Sequence, residues 1–295
     1  MIAGTRAASD RDPTQQSAKP FPWALLAWCA VLLFACYGQV LARLVAQWMH
    51  DQDMGHGFFV PVIAAYIVWQ RRRELLEAPV SPNWWGLAVL AWGAAQLYVA
   101  TLGAELFLAR TAFIVSLAGA VLLLGGSRIL RIVAFPLFLL IFMVPIPAIV
   151  YNQVTFQLQL LASRMAEAAL SLLGVPVLRE GNILQLASQS LSVVEACSGI
   201  RSLLTLSFLS LVYAFFFDKK RWMRLALLIA TVPIALIANA GRVTITGLLS
   251  EVNPELAEGL VHEASGWIIF MVGLGLLVCV HQAINKTYGF LYARK

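Results

Sequence analysis

Three residues in the second half of the chain, Cys197, Arg242 and His262, have side chains that together suit acyl transfer. Cysteine attacks as its thiolate, and its pKa of roughly 8.5 falls when a helix N-terminus or a cation lies nearby. Histidine takes up and returns protons near neutral pH. The arginine guanidinium keeps its proton, so it suits stabilisation of an oxyanion and not general-base catalysis. The set would therefore provide a nucleophile, a base and an electrophile.

Two carboxylates and a hydroxyl group flank these candidates in sequence. Ser198 has the side chain of a helix N-cap, which would place Cys197 at the positive end of the helix dipole. Glu195 and Glu263 each lie within two residues of a candidate. Either carboxylate can orient His262 or form an ion pair with the arginine.

Arg201 and Asn239 are two further polar residues close to the candidates. Arg201 follows Cys197 by one helical turn, so it can bind a carboxylate of a substrate or pair with Glu195. Asn239 precedes Arg242 by three residues and can hydrogen-bond within the same site. For each flanking residue a purely structural role is the competing interpretation, as it is for a lone cysteine, an interfacial histidine or an ion-paired arginine.

Eight apolar segments would position these residues by crossing a membrane. A membrane-spanning helix needs about 20 residues, with about 17 as the lower limit. The second, fourth and sixth segments are at or below that limit, so their ends are poorly defined. The predicted segments comprise residues 23–42, 57–70, 84–102, 111–126, 132–149, 202–217, 225–249 and 264–284.

Composition favours a membrane protein over a soluble fold. Hydrophobic residues make up 60% of the chain and charged residues 12%, whereas a soluble domain has about 25% charged residues. The net charge of +6 does not indicate nucleic-acid binding, because the basic residues form short clusters between apolar runs. With the N-terminus in the cytoplasm, 15 of the 21 Lys and Arg residues fall on the inner side and no lysine falls outside. The positive-inside rule expects this asymmetry, and all three candidates then lie at the outer face.

The longest predicted outer segment covers residues 151–197. Its first half has an apolar stripe at helical spacing, which is typical of a helix on the outer membrane surface. The alternation at Leu184/Leu186 and at Leu191/Val193 predicts a small β-hairpin. The helical stripe comprises Val154, Leu158, Leu161, Met165, Ala169 and Leu172.

These elements predict an all-α integral membrane protein of about eight transmembrane helices. A periplasmic amphipathic helix and a small β-hairpin would precede the sixth span. We expect a single membrane domain over residues 1–295, with a flexible cytoplasmic N-terminus at residues 1–20 and a periplasmic segment at residues 151–197.

The candidate residues lie in segments that resemble those of the exosortases, which are multi-pass membrane cysteine enzymes of bacteria, and of the archaeosortases, their archaeal relatives. The order Cys, Arg, His is the order of that family, and the stretch LGVPVLREGNILQL before the cysteine is also similar. The block EACSGIRS is fairly specific, whereas the apolar spans are not. The resembling segments are VVEACSGIRSLLTL, NAGRVTITGLL and HEASGW.

The resemblance implies a cysteine protease or transpeptidase that processes PEP-CTERM proteins. It implies that Cys197 is the nucleophile, Arg242 the transition-state stabiliser and His262 the proton-transfer residue. The implied substrates are exported proteins with a C-terminal sorting signal, which consists of a Pro-Glu-Pro-like motif, a transmembrane helix and a basic tail. The implied location is the bacterial inner membrane, with both termini in the cytoplasm and the active site at the periplasmic face.

The competing function is non-enzymatic export or transport of polysaccharide or lipid. A transporter is expected to have charged or polar residues near the bilayer midplane and often has repeated halves. The predicted mid-span positions are nearly free of charge here, which favours a site at one face. An HExxH metalloprotease motif is absent, because Ala-Ser-Gly follows His262 and Glu263. The expected partners are the lipid bilayer and membrane-anchored proteins, and we expect no nucleic acid, metal or cofactor.

Overall fold

The computed structural model describes residues 23–193, 199–218, 220–253 and 259–292, and this part of the chain is nearly all helical. Two short 3-10 segments, Gln52–Phe58 and Leu140–Met143, precede α2 and α6 respectively. The helices are α1 (Trp23–His50), α2 (Phe59–Gln70), α3 (Arg72–Glu77), α4 (Trp85–Leu102), α5 (Leu106–Leu139), α6 (Ala148–Leu172), α7 (Ile200–Phe217), α8 (Arg221–Val252) and α9 (Gly259–Tyr292).

Within these described ranges, six helices are long and apolar enough to cross a membrane: α1, α4, α5, α7, α8 and α9. The chain is therefore a membrane protein with a mainly helical fold. Helix α2 has 12 residues, which is about 18 Å of helix and less than a bilayer core of about 30 Å. The predicted second span is thus a short helix, and the predicted count of eight spans does not follow from the helix lengths alone.

The predicted fourth and fifth spans are joined without the loop that the sequence suggested at residues 127–131. Both belong to α5, whose helical conformation is broken at Gly126 (φ 85°, ψ −178°). A side chain at this position would collide with the carbonyl oxygen of Ser81. Glycine permits both the positive φ and the close approach, so one residue changes the helix direction where we expected a longer connection.

The described residues form two compact units, and the first comprises Met1–Ala46 and Phe59–Val144. In this unit α4 packs closely on α5, because Gly86 and Gly93 leave no room for a side chain against Leu123 and Ser116. Small residues at such contacts are characteristic of helix packing in membranes.

The second unit comprises Gln47–Phe58 and Pro145–Lys295. It contains α6 to α9 and a three-stranded antiparallel sheet with the order β1 (Val177–Glu180), β2 (Ile183–Leu186) and β3 (Ser190–Ser192). The sequence predicted two strands here and the structure has three. Leu184 and Val193 from this region pack with Leu170 of α6 and Val243 of α8 in a buried cluster, so the sheet is fixed to α8, which carries part of the candidate site.

Helix α6 buries its small and polar side chains and exposes apolar ones, which is the reverse of an amphipathic helix in a soluble core. Its small and polar face, which includes Gln159, Ser163 and Ala166, is buried. Leu161 and Leu172 of the predicted apolar stripe are exposed. An outward apolar face and an inward polar face suit a helix in contact with lipid. The predicted single membrane domain stays a prediction.

Candidate active site

All of the candidate residues belong to the second unit. Cys197, Ser198 and Glu195 lie outside the described residues. The residue before α7 is Gly199, and it takes the N-cap position that we had predicted for Ser198. Its φ of 61° lies in the left-handed region, which glycine adopts at little cost. The backbone turn into α7 therefore begins at glycine, two residues after the candidate nucleophile.

Asn239 of α8 lies directly against this turn. A Cβ atom built on Gly199 would be 3.0 Å from Asn239 Nδ2. Asn239 is only 4% exposed, and neither its Nδ2 nor its Oδ1 has a hydrogen-bond partner among the described residues. A small cavity of about 10 Å³ adjoins the two residues and is otherwise lined by apolar side chains. A buried carboxamide is thus held beside the start of α7 without a described partner.

Arg242 follows Asn239 by three residues and so lies on a similar face of α8. Its guanidinium packs on α9: a Cβ atom on Gly266 would be 3.1 Å from Arg242 Cζ. Gly266 is one helical turn after His262, so the two positions share a face of α9. The side chains of His262 and Glu263 lie outside the described part of the structure. The arginine therefore contacts the face of α9 to which residue 262 belongs.

Arg201, in the first turn of α7, pairs with a residue that the sequence analysis did not identify. Its Nε donates to Asp53 Oδ1 at 2.7 Å, and the Tyr151 hydroxyl also donates to Asp53. Burial, followed by the hydrogen bond to Asp53, raises the pKa of Tyr151 above its usual value. We had considered Glu195 as the partner of Arg201. The one signal for Asp53 was its place in the predicted outer connection after the first span.

A second polar cluster lies at the other end of α7 and was also missed. Asp218 Oδ2 accepts from His281 Nε2 at 3.1 Å and from Asn285 Nδ2 at 3.2 Å. Lys220 Nζ donates to Asn285 Oδ1 at 2.7 Å, and Tyr213 Oη lies 3.0 Å from His281 Nδ1. These residues connect the end of α7, the start of α8 and the last part of α9. Every polar side chain named in this cluster has a hydrogen-bond partner within it, which is typical of a structural network.

The described geometry brings part of the predicted site together. Helix α8 contacts the start of α7 through Asn239 and contacts α9 through Arg242. Arg201 is close in sequence to that turn but is held by Asp53. The catalytic assignments of Cys197 and His262 remain predictions.

The chain matches a known protein family over most of its length. The family model described as Transmembrane exosortase (Exosortase_EpsH) matches residues 48–279. None of the curated proteins and none of the solved structures matches the chain. The match includes α2 to α8, the sheet, most of α9 and every candidate residue discussed above. The chain therefore belongs to the transmembrane exosortase family.

Proposed function

We propose that this exosortase is a membrane-embedded cysteine transpeptidase that cleaves the C-terminal sorting signal of exported proteins through an acyl-enzyme. One observation carries the proposal: α8 touches the turn that follows the candidate nucleophile and, one turn later, touches α9 just after the candidate base. Two residues of extended chain span at most about 7 Å. We therefore expect Cys197 to lie close to Gly199 and Asn239.

The roles follow from the chemistry of the side chains. The Cys197 thiolate attacks the scissile carbonyl carbon, a sulfur–carbon bond forms, and the carbonyl electron pair moves onto oxygen. Arg242 stabilises that oxyanion, which the permanently protonated guanidinium is suited to do. His262 gives a proton to the leaving amine as the carbon–nitrogen bond breaks. An acceptor amine then resolves the thioester and completes transpeptidation, whereas water would complete proteolysis.

The proposed substrates are membrane-anchored proteins with a Pro-Glu-Pro-like motif, a transmembrane helix and a basic tail. A substrate held by its own helix presents the motif at the membrane surface, and the outer ends of α7, α8 and α9 would meet it there. Arg201 is half-exposed while it pairs with Asp53. Its guanidinium can therefore also bind the motif carboxylate, since Arg can engage more than one acceptor.

The proposal includes the orientation predicted from charge. Both termini are cytoplasmic, the site is periplasmic, and the membrane is the bacterial inner membrane. Eight crossings result if α2 counts as one span and if the parts of α5 before and after Gly126 count as two spans. The clusters Arg71–Arg73 and Lys219–Arg221 would then lie on the inner side, as the positive-inside rule expects.

Replacement of the nucleophile tests the proposal. Cys197→Ala should leave the protein inserted and abundant while sorting-signal precursors accumulate, because the sulfur that forms the acyl-enzyme is absent. Cys279→Ala is the matched control, since Cys279 is an exposed free cysteine of α9, and it should process precursors normally. The alternative function, transport of polysaccharide or lipid, predicts normal processing by both variants. Normal processing by Cys197→Ala would rule out the cysteine mechanism.

A further inference from the structure

The carboxamide of Asn239 in the second unit is buried, and both of its polar atoms lack a hydrogen-bond partner among the described residues. A polar side chain buried without a hydrogen bond costs about 1–3 kcal/mol, and such groups in native structures are few. Asn239 has two of these atoms, Nδ2 and Oδ1, with no partner in the described part of the chain. An asparagine that only joined helices would be expected to hydrogen-bond across them.

The Asn239 carboxamide lies beside Gly199 and a small cavity, where it can donate a hydrogen bond to a bound group. Its Nδ2 faces Gly199, at the turn between residue 197 and α7. The space beside it is about 10 Å³, which is room for about one oxygen-sized atom. Arg242, three residues further along α8, directs its guanidinium to α9 instead. The two side chains of α8 thus contact different partners, and the one that contacts Gly199 is a neutral donor.

We propose that Asn239 is a catalytic residue of this exosortase and that its Nδ2 donates to the oxyanion formed when Cys197 attacks the scissile carbonyl. This inference rests on the proposed function. As the sulfur–carbon bond forms and negative charge develops on the substrate oxygen, the unpaired N–H gains an acceptor that it lacks in the resting enzyme. A donor with no ground-state partner binds the transition state selectively, and selective binding is what raises kcat.

The assignment predicts a trade-off between stability and activity in Asn239→Leu. Leucine has the same number and branching of side-chain heavy atoms and has no polar atoms to leave unpaired. We expect kcat for precursor cleavage to fall by about 10²–10³, as for loss of an oxyanion donor, with KM little changed. We expect Tm in detergent to rise by about 2–4 °C.

Alkylation separates oxyanion stabilisation from an effect on the nucleophile itself. With Cys29, Cys36 and Cys279 replaced by alanine, Cys197 is the only thiol in the chain. Iodoacetamide reacts with a thiolate without forming an oxyanion. The alkylation rate of Cys197 in Asn239→Leu should therefore stay within about two-fold of the parent, while cleavage falls.

Thr231→Val is the matched control. Thr231 is a fully buried polar residue of α8 whose Oγ1 donates to the Leu228 carbonyl, and it lies eight residues before Asn239. The Thr231→Val variant should have a lower Tm than the parent, and its cleavage rate should stay within about two-fold of the parent rate. Three results would overturn the inference: cleavage by Asn239→Leu at the parent rate, a lower Tm with loss of protein, or parallel loss of cleavage and alkylation. If the parent itself does not cleave precursors, or Cys197→Ala does, the proposed function fails before Asn239 is tested.

Discussion

At the scale of single residues, Gly266 determines where the Arg242 guanidinium can lie. A Cβ atom there would approach Arg242 Cζ, Nη2 and Nη1 to 3.1, 3.2 and 3.3 Å. These distances are too short for an undisturbed contact, but the neighbour is the end of a flexible side chain. The arginine can move by a few tenths of an ångström at small cost in stability, whereas catalysis is sensitive to displacements of that order.

We therefore expect Gly266→Ala to insert normally, to change Tm little and to lower kcat for precursor cleavage by about ten-fold or more. Gly275→Ala on the same helix is the control, because nothing lies within 4 Å of a Cβ at that position. Precursor cleavage by detergent-purified protein is the measurement. Equal rates for the two variants would mean that the contact between Arg242 and α9 has no part in the reaction.

The sequence placed Asn239 and Arg242 in one site but did not reveal that Asp53 pairs with Arg201. The proximity of Asn239 to Arg242 follows from helix periodicity, so the sequence could suggest both for one site. The Asp53–Arg201 ion pair joins residues 148 positions apart. No local pattern encodes such a contact, because it depends on how the 3-10 segment packs on α7. The competing assignment to Glu195 rested on nearness in sequence alone.

At the scale of elements, the Asp53–Arg201 pair links the segment Gln52–Phe58 to the first turn of α7. A cation in the first turn of a helix opposes the helix dipole, and Asp53 compensates for it at 2.7 Å. Tyr151 of α6 shares the same carboxylate. Three elements are thus tied together just after the segment that contains Cys197. We infer that Asp53 positions Arg201 for the substrate.

We expect Asp53→Asn to lower kcat/KM for precursors about ten-fold, which corresponds to about 1.4 kcal/mol and is close to the lower value for a hydrogen bond to a charged group. Tm should change little, because a half-exposed ion pair contributes about 0–1 kcal/mol to stability. If Asp53 acts through Arg201, the double variant Asp53→Asn/Arg201→Gln should be no worse than Arg201→Gln alone.

Glu167→Gln provides the control for this prediction. Glu167 and Arg179 form another partly exposed ion pair of 2.7 Å in the same unit. Its loss should leave kcat/KM unchanged. Strictly additive losses in the double variant would show that Asp53 and Arg201 act independently and would exclude the positioning role.

The elements that the sequence predicted best are those with long, uninterrupted apolar periodicity. The predicted segment 84–102 became α4 almost unchanged, and segments 202–217 and 225–249 became α7 and α8 with small shifts. The sequence predicted that α5 divides into segments 111–126 and 132–149, and the structure has its break at Gly126 without an intervening loop. Arg128 and Arg131 suggested a loop, but Gly126 produces the change of direction within one residue by packing on the Ser81 carbonyl. That contact is tertiary, so local composition could not reveal it.

At the scale of the whole molecule, Asp218 gives the chain a specific sensitivity to acid. Burial would raise the pKa of Asp218, but hydrogen bonds from the Lys220 backbone, His281 and Asn285 outweigh burial and lower this pKa below its usual range. A carboxyl with a lowered pKa in the folded state stabilises the fold above its unfolded pKa. This contribution is lost as the pH falls through the lower, folded-state pKa.

Tm measured in detergent should therefore fall as the pH is lowered below about 4. In Asp218→Asn the fall should be shallower, since the titrating group is absent, and the starting Tm at neutral pH should be lower. Glu74→Gln, which replaces an exposed carboxyl of α3, should follow the parent curve. A parent and an Asp218→Asn variant with the same pH profile would contradict the assignment of this acid sensitivity to Asp218.

The intact mass of the protein during turnover shows most directly whether Cys197 forms an acyl-enzyme. Incubation of the parent protein with a purified precursor in the absence of an acceptor amine, quenched with acid at short times, should add the mass of the substrate up to its cleavage point. Hydroxylamine should remove the adduct, and peptide mapping should locate it at Cys197. Precursor cleavage by the parent with no adduct in the quenched samples, or with an adduct on any other residue, would contradict the claim that residue 197 forms a thioester with the sorting signal.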